Sequence, residues 1–304
     1  MEIPRDLYEN HSSELFNVKM NIGSNVYHYT SPLGLKSIIE NKLLWFSNSE
    51  YLNDEQEICY AFDLVKKVAK EIEKLDDSVF IKWVIKYCNA GISKKNKFSE
   101  QESSFIACFS EQSDILSLWN QYTKNENSIG YSIGFDRTKL YECINKAYST
   151  NFCARTINGK VIYDNNKQIE LIKNALCDFN NKYSETKSSK THNLLKNYFG
   201  YLIDIYSLFF KHPSFKDEKE YRIIIIANNT QYGEDSKFLK TRCLNGFFIP
   251  YYEKKFNKDI INSITLSPNN KADIIKKSVR ELLRINKYDI PDKKIKSSDI
   301  PLRY

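Results

Sequence analysis

Residues 27–54 read YHYTSPLGLKSIIENKLLWFSNSEYLND, and the order of elements in this stretch sets the expectation for the rest of the chain. VYHYT at 26–30 has the aromatic and β-branched content of a strand. Ser31 then offers its hydroxyl as an N-cap, and Pro32 takes the first helical position, where its missing N–H is no loss. Leu35, Ile38 and Ile39 build one apolar helical face through Asn41, and LLWFS at 43–47 returns to strand. In the first strand, alternation groups His28 with Val26 and Thr30 and turns it away from Tyr27 and Tyr29.

Outward from this unit, Asn53 and Asp54 can cap a helix whose apolar positions are Ile58, Phe62, Val65, Val68 and Ile72. FIKWVIKYC at 80–88 is a second helical segment, and GISKKNKFSEQES at 91–103 reads as a polar connection. FIACFS at 105–110 is expected as a buried strand, DILSLWNQYT at 114–123 as a short helix and SIGYSIGF at 128–135 as an alternating strand. A helix from Arg137 to about Lys146 follows. VIY at 161–163 then leads into a helical insert over 165–212, with two helices from about Asn165 to Phe210 and the polar break SETKSSKTH at 184–192. After Glu218 come the strands EKEYRIIIIA, FFIPYY and INSITLSP, a helix from about Asn270 to Arg284 and an extended end, KSSDIPLRY.

Helices alternating with antiparallel-looking strands of uneven spacing, without repeats or a dinucleotide-binding glycine pattern, define an α+β class. The expectation is one domain over 1–304 with the 165–212 helices inserted in it. A separate partner-binding helical hairpin is the alternative for that insert.

Composition narrows the function classes. The chain has 304 residues, 41% of them hydrophobic, enough for a sizeable core. Apolar runs such as Ile223–Ile226 are far shorter than the roughly 20 residues needed to cross a bilayer, so no membrane partner is expected. MEIPRDLYENHSSE is too acidic and polar for a secretion signal, which predicts a cytoplasmic protein. Seven dispersed cysteines without a CxxC, and histidines only at 11, 28, 192 and 212, suggest neither a disulfide framework nor a metal site. The formal charge of +7 permits an anionic partner. Ten Lys/Arg against five Asp/Glu over 271–303 would suit phosphates, and equally a solvated surface.

Three segments carry the candidate chemistry. In EKEYR at 218–222, strand alternation would put Glu218, Glu220 and Arg222 on one face. A carboxylate there can orient a ribose hydroxyl, stabilise positive charge as a glycosidic bond dissociates or accept a proton, or else simply pair with Arg222. His28 can bond backbone, or present a neutral imidazole to a sugar hydroxyl with Thr30 beside it. In FSEQSDILSLWNQY, Ile115, Trp119 and Tyr122 approach one helical face, either as core or as an aromatic floor for a planar ring.

YHYTSPLGLKSIIENKLLWFSNSEYLND, FSEQSDILSLWNQYTKNENSIGYSIGF, FKHPSFKDEKEYRIII and SSDIPLRY, in that order, resemble the signatures of the bacterial family called domain of unknown function 2971. The likeness runs from about Val26 to Arg303, with the helical insert least constrained. That resemblance implies a place among phage-defence or toxin genes. More distantly, a His-Tyr-Thr strand, a central aromatic or serine motif and a late glutamate are similar to the ADP-ribosyltransferase superfamily. This likeness implies a central mixed, largely antiparallel sheet with helical insertions, and NAD as the substrate, with no metal.

Carried over by position, the resemblance implies catalytic roles for Glu220, Glu218 and His28. It implies nucleotide contacts from His28, Tyr29, Thr30 and Asn53 near the start, from Ser110, Trp119 or Tyr122 in the centre, and from Arg222 and Arg303 later on. The sequence has no Ser-Thr-Ser triplet, so Ser110, Trp119 and Tyr122 compete for the nicotinamide pocket. The acceptor is left open as protein, nucleic acid, small molecule or water. Two other classes stand beside this one: a nucleic-acid-binding or -processing defence protein, and a non-catalytic interaction or sensor domain whose polar motifs maintain the fold.

Overall fold

The computed structural model describes residues 3–16, 24–51, 55–94, 102–122, 129–146, 154–228, 239–244, 246–268 and 272–301. The chain is α+β and divides into two compact units, each assembled from three separate segments. One comprises Met1–Val18, Ser49–Ser103 and Gly159–Lys216; the other comprises Lys19–Asn48, Ser104–Asn158 and Asp217–Tyr304.

The first unit is helical. It contains α1 (Ile3–Phe16), α3 (Glu55–Glu73), α4 (Val79–Lys94), α7 (Asn165–Glu185) and α8 (Ser189–Phe209). Its core is aromatic: the rings of Phe80, Phe179 and Phe199 are fully buried, with centroids 5.1 to 6.4 Å apart. The helices expected as an insert therefore share a core with α3 and α4. The break between them shrinks to Thr186–Ser188, with Ser188 capping α8 through the Thr191 N–H. α4 also continues past Gly91 into the stretch expected as a polar connection. Gly91 lies against the Phe62 ring, where an added Cβ would come within 2.4 Å, so its small size lets the two helices pack.

The second unit carries the sheet. Its first elements are β1 (Asn25–Thr30), α2 (Pro32–Asn41) and β2 (Leu43–Asn48), with Ser31 accepting the Gly34 N–H as expected for the cap. The remaining strands are β3 (Glu102–Ser110), β4 (Tyr131–Asp136), β5 (Ala154–Lys160), β6 (Glu220–Asn228), β7 (Leu239–Leu244), β8 (Phe247–Lys255), β9 (Ile261–Leu266) and β10 (Ile295–Ser297). α5 (Leu116–Tyr122), α6 (Arg137–Lys146) and α9 (Ala272–Ile285) complete the unit.

The sheet order is β10-β9-β4-β1-β3-β2-β8-β7, with β6 also on β3 and β5 on β6. β9 and β10 pair in parallel; the ladders β1–β3, β1–β4, β2–β3, β2–β8, β4–β9 and β7–β8 are antiparallel. Ile223–Ile226 in β6 are all at most 1% exposed, as befits a strand covered on both faces. One face of the sheet holds the main apolar core, including Val26, Phe46, Phe105, Phe109, Phe135, Tyr221 and Ile223. Among the described residues no helix is long and apolar enough to cross a membrane.

Candidate functional site

Three strands touch β3, and a strand has only two edges. β2 meets it at Ser47↔Ile106 and Asn48↔Phe105, whereas β1 meets it at Tyr27↔Ser110. Just past β3, the Glu111 N–H donates to the Lys219 carbonyl at 2.9 Å, which turns that position toward β6. Successive backbone groups point to alternate edges, so Cys108 and Ser110 turn toward the other edge, which β1 and β2 divide between them. The sheet thus forks along Ala107–Phe109, where neither ladder reaches.

His28 sits at this fork. Its ring Nδ1 donates to the Cys108 carbonyl at 3.0 Å, and its ring lies 5.7 Å from that of Phe109. Burial lowers its pKa from the ordinary 6.5, against the smaller opposing pull of the Cys108 carbonyl. The neutral ring with hydrogen on Nδ1 keeps a lone pair on Nε2. Because the folded pKa is lowered, the unfolded chain binds more protons below about pH 6.5. His28 therefore stabilises the fold fully above that value, and the contribution is lost as pH falls through the folded pKa. Urea denaturation at about pH 8 and about pH 5.5 should show the wild type losing more stability on acidification than His28→Gln. Parallel losses would show that this ring does not titrate as argued.

The acidic segment departs from the strand expected at 218–222. Pro213–Glu218 forms a short 3-10 helix, Lys219 takes a left-handed conformation with φ of 45°, and β6 begins only at Glu220. The alternation expected from Glu218 onward is broken at Lys219. Glu220 and Arg222 do share a face, joined by two parallel bonds: Nε to Oε1 at 2.8 Å and Nη2 to Oε2 at 2.9 Å. The pair is buried, 7% and 2% exposed, rather than solvated. Glu218 is more open and accepts from Gln121 Nε2 of α5 at 3.5 Å.

Ser110 binds these parts together. Its buried hydroxyl donates to the Glu218 carbonyl at 2.8 Å and accepts the Gln112 N–H at 3.1 Å. That makes it a clamp between β3 and the acidic turn. Trp119 is 1% exposed and packs edge-on against Tyr29 at 4.6 Å, beside Ile115. It is core, not an exposed aromatic floor. Tyr29, whose hydroxyl donates to Gln112 O at 3.0 Å, is held well above the usual phenol range by burial. Thr30 is also buried, against Gly34, where an added Cβ would come within 2.0 Å of its hydroxyl oxygen.

The faces of the sheet divide the candidates. Tyr27 and Ser110 are opposed, so they share a face, and His28 and Phe109 share the other. Phe109 and Tyr221 enter the same core, so Glu220 and Arg222, flanking Tyr221, turn with Ser110 and Tyr27. α5, Ser110 and the acidic segment therefore meet at one end of β3, while His28 reaches that end through the sheet plane, by way of the Cys108 carbonyl. Tyr122 ends α5, with its side chain outside the described residues, as are Asn53 and Arg303.

Two anchors were not foreseen. Asp114 accepts Trp119 Nε1–H at 2.6 Å, Ser298 Oγ–H at 2.6 Å and the Asp299 N–H at 2.9 Å. It thereby ties the SSD motif near the carboxyl end to α5. Arg137, 3% exposed, lies 3.8 Å from Glu111 and 5.5 Å over the Tyr221 ring, and burial pushes that phenol up to about 12. The aspartate before ILSLW was the available signal for the first anchor; nothing local in the sequence marks Arg137. No cluster of three metal-ligating side chains occurs among the described residues.

An α+β protein with a forked sheet and an acidic turn at the fork's end is the class these features define. Residues 118–223 match the family model DUF2971, described as a protein of unknown function. This is narrower than the span from Val26 to Arg303 over which the sequence motifs resemble that family. It includes Trp119, Glu218, Glu220 and Arg222, and it crosses both α7 and α8. No curated protein and no solved structure matches the chain.

Proposed function

We propose that the protein is an NAD-consuming ADP-ribosyltransferase acting as an effector in a bacterial phage-defence or toxin system. One observation supports the reading: α5 and the Glu218–Glu220 turn are tied to the same end of β3, on the face opposite the one His28 enters. NAD is the substrate in this reading. The bond from ribose C1′ to the nicotinamide nitrogen breaks, nicotinamide keeps the electron pair and leaves neutral, and an acceptor nucleophile bonds to C1′. A carboxylate stabilises the oxocarbenium-like charge and takes the acceptor's proton. Glu218 is the more open of the two acids, and Glu220 is held in a buried pair with Arg222.

Nicotinamide release from NAD is the measurement, offered with water, protein and single-stranded nucleic acid as acceptors. The wild type should release it, and Glu218→Gln should slow release by about 100-fold or more while remaining folded. No release with any acceptor, or equal rates in wild type, Glu218→Gln and Glu220→Gln, would sink the reading. A non-catalytic interaction or sensor domain is the second reading. Its support is that Ser110 and the Glu220–Arg222 pair already hold structural bonds, so it expects loss of stability and no NAD turnover to lose.

A further inference from the structure

The outer face of β2, β8 and β7 points to a second site. Leu44, Phe46 and Tyr252 enter the core, so alternation turns Trp45, Ser47, Tyr251 and Glu253 to the other side, with Lys240 and Arg242 of β7 in register beside them. Trp45 is 40% exposed there, although a large ring on a solvated sheet face gains nothing for folding by that exposure. Tyr251 backs it at 4.5 Å, and the Arg242 guanidinium carbon lies 5.8 Å from its ring centre. Arg242 is aimed by the Ser47 hydroxyl, to which Nη2 donates at 3.0 Å. Lys240 and Lys255 add positive charge on this face, opposed by Glu253, which pairs with Lys240 at 2.6 Å. At the hairpin end the face continues into Leu244 and Phe247, 44% and 66% exposed.

From this arrangement we infer a platform for single-stranded nucleic acid. Every nucleobase has a flat apolar face that an exposed Trp can stack on, and the phosphates beside it suit a guanidinium and ammonium groups placed alongside. Among the described residues this face is exposed at Trp45, Lys240, Leu244 and Phe247 and buried at Ile249 and Tyr251; the exposed groups span three strands, which fits an extended polymer over a mononucleotide. The inference does not depend on the transferase reading, since binding is measured with NAD absent. If both hold, the bound strand is the candidate acceptor.

The test is fluorescence anisotropy of a labelled oligothymidylate of about 15 nucleotides, titrated with full-length protein at several salt concentrations. Binding should weaken steeply with salt, Trp45→Ala should weaken it by about tenfold, and Arg242→Gln should reduce the slope of log affinity against log salt by about 0.7. Trp45→Phe, which keeps a ring, should recover most of the affinity. Thermal unfolding of each variant separates lost binding from lost fold, because Trp45 and Arg242 lie outside the core. No binding at low salt, a Trp45→Ala variant that binds as well as wild type, or AMP competing as strongly as the oligomer at equal nucleotide concentration would overturn the platform. If oligomer binding fails while nicotinamide release persists, only this inference falls.

Discussion

Arg222→Met should destabilise the protein by about 3–5 kcal/mol. The reason is asymmetric: the guanidinium and the Glu220 carboxylate are both buried and bonded through two parallel contacts. Removing one partner leaves the other charged in a place where water cannot replace what was lost. A cycle with Glu220→Gln tests the cause. Arg222→Met combined with Glu220→Gln should be more stable than Arg222→Met alone, because the stranded charge is gone. Urea unfolding of the four proteins measures it, and equal stability of the single and double variants would show that Glu220 is not the group left stranded.

Asp114→Ala should cost about 3 kcal/mol, since one carboxylate holds three donors, one in α5 and two from the adjacent Ser298 and Asp299. Charged hydrogen bonds are each worth roughly 1.5–3 kcal/mol, and groups sharing one acceptor do not add independently. Asp114→Asn keeps the shape and one acceptor oxygen, so it should cost less than half as much. Because Ser298 and Asp299 lose their anchor, limited proteolysis in the 298–301 segment should accelerate before the rest of the unit is cut. Thermal melts with timed digestion decide it; an Asp114→Ala protein that melts and is digested like wild type would remove Asp114 from its role as a tether.

Local chemistry made much of the fold readable. β1, α2 and β2 follow from the Ser31 cap, Pro32 and the apolar spacing of Leu35, Ile38 and Ile39. β3 and β6 were visible as apolar runs bounded by polar residues. β5 and β7 were not, because ARTINGK and LKTRCL carry few apolar residues and their strand state comes from tertiary pairing with β6 and β8. The candidate site was legible as a set of segments and not as a geometry. Glu218 left the expected face because Lys219 adopts a positive φ, a choice that no residue type at that position announces. The opposite facing of His28 and Glu220 depends on the register of β1 and β6 against β3, which sequence spacing cannot supply.

The interleaving of the two units bears on how the molecule can be taken apart. Following the segments from the amino end, the chain passes from one unit to the other five times. A nascent polypeptide cannot complete the helical core before Phe209 has been made, and the sheet waits for β10 at Ile295–Ser297. A truncation from the amino end that passes Val18, or one from the carboxyl end that passes Asp217, removes part of both units. Deletion mapping would therefore report collapse rather than location, and dissection of this protein has to proceed by single substitutions in the intact polypeptide.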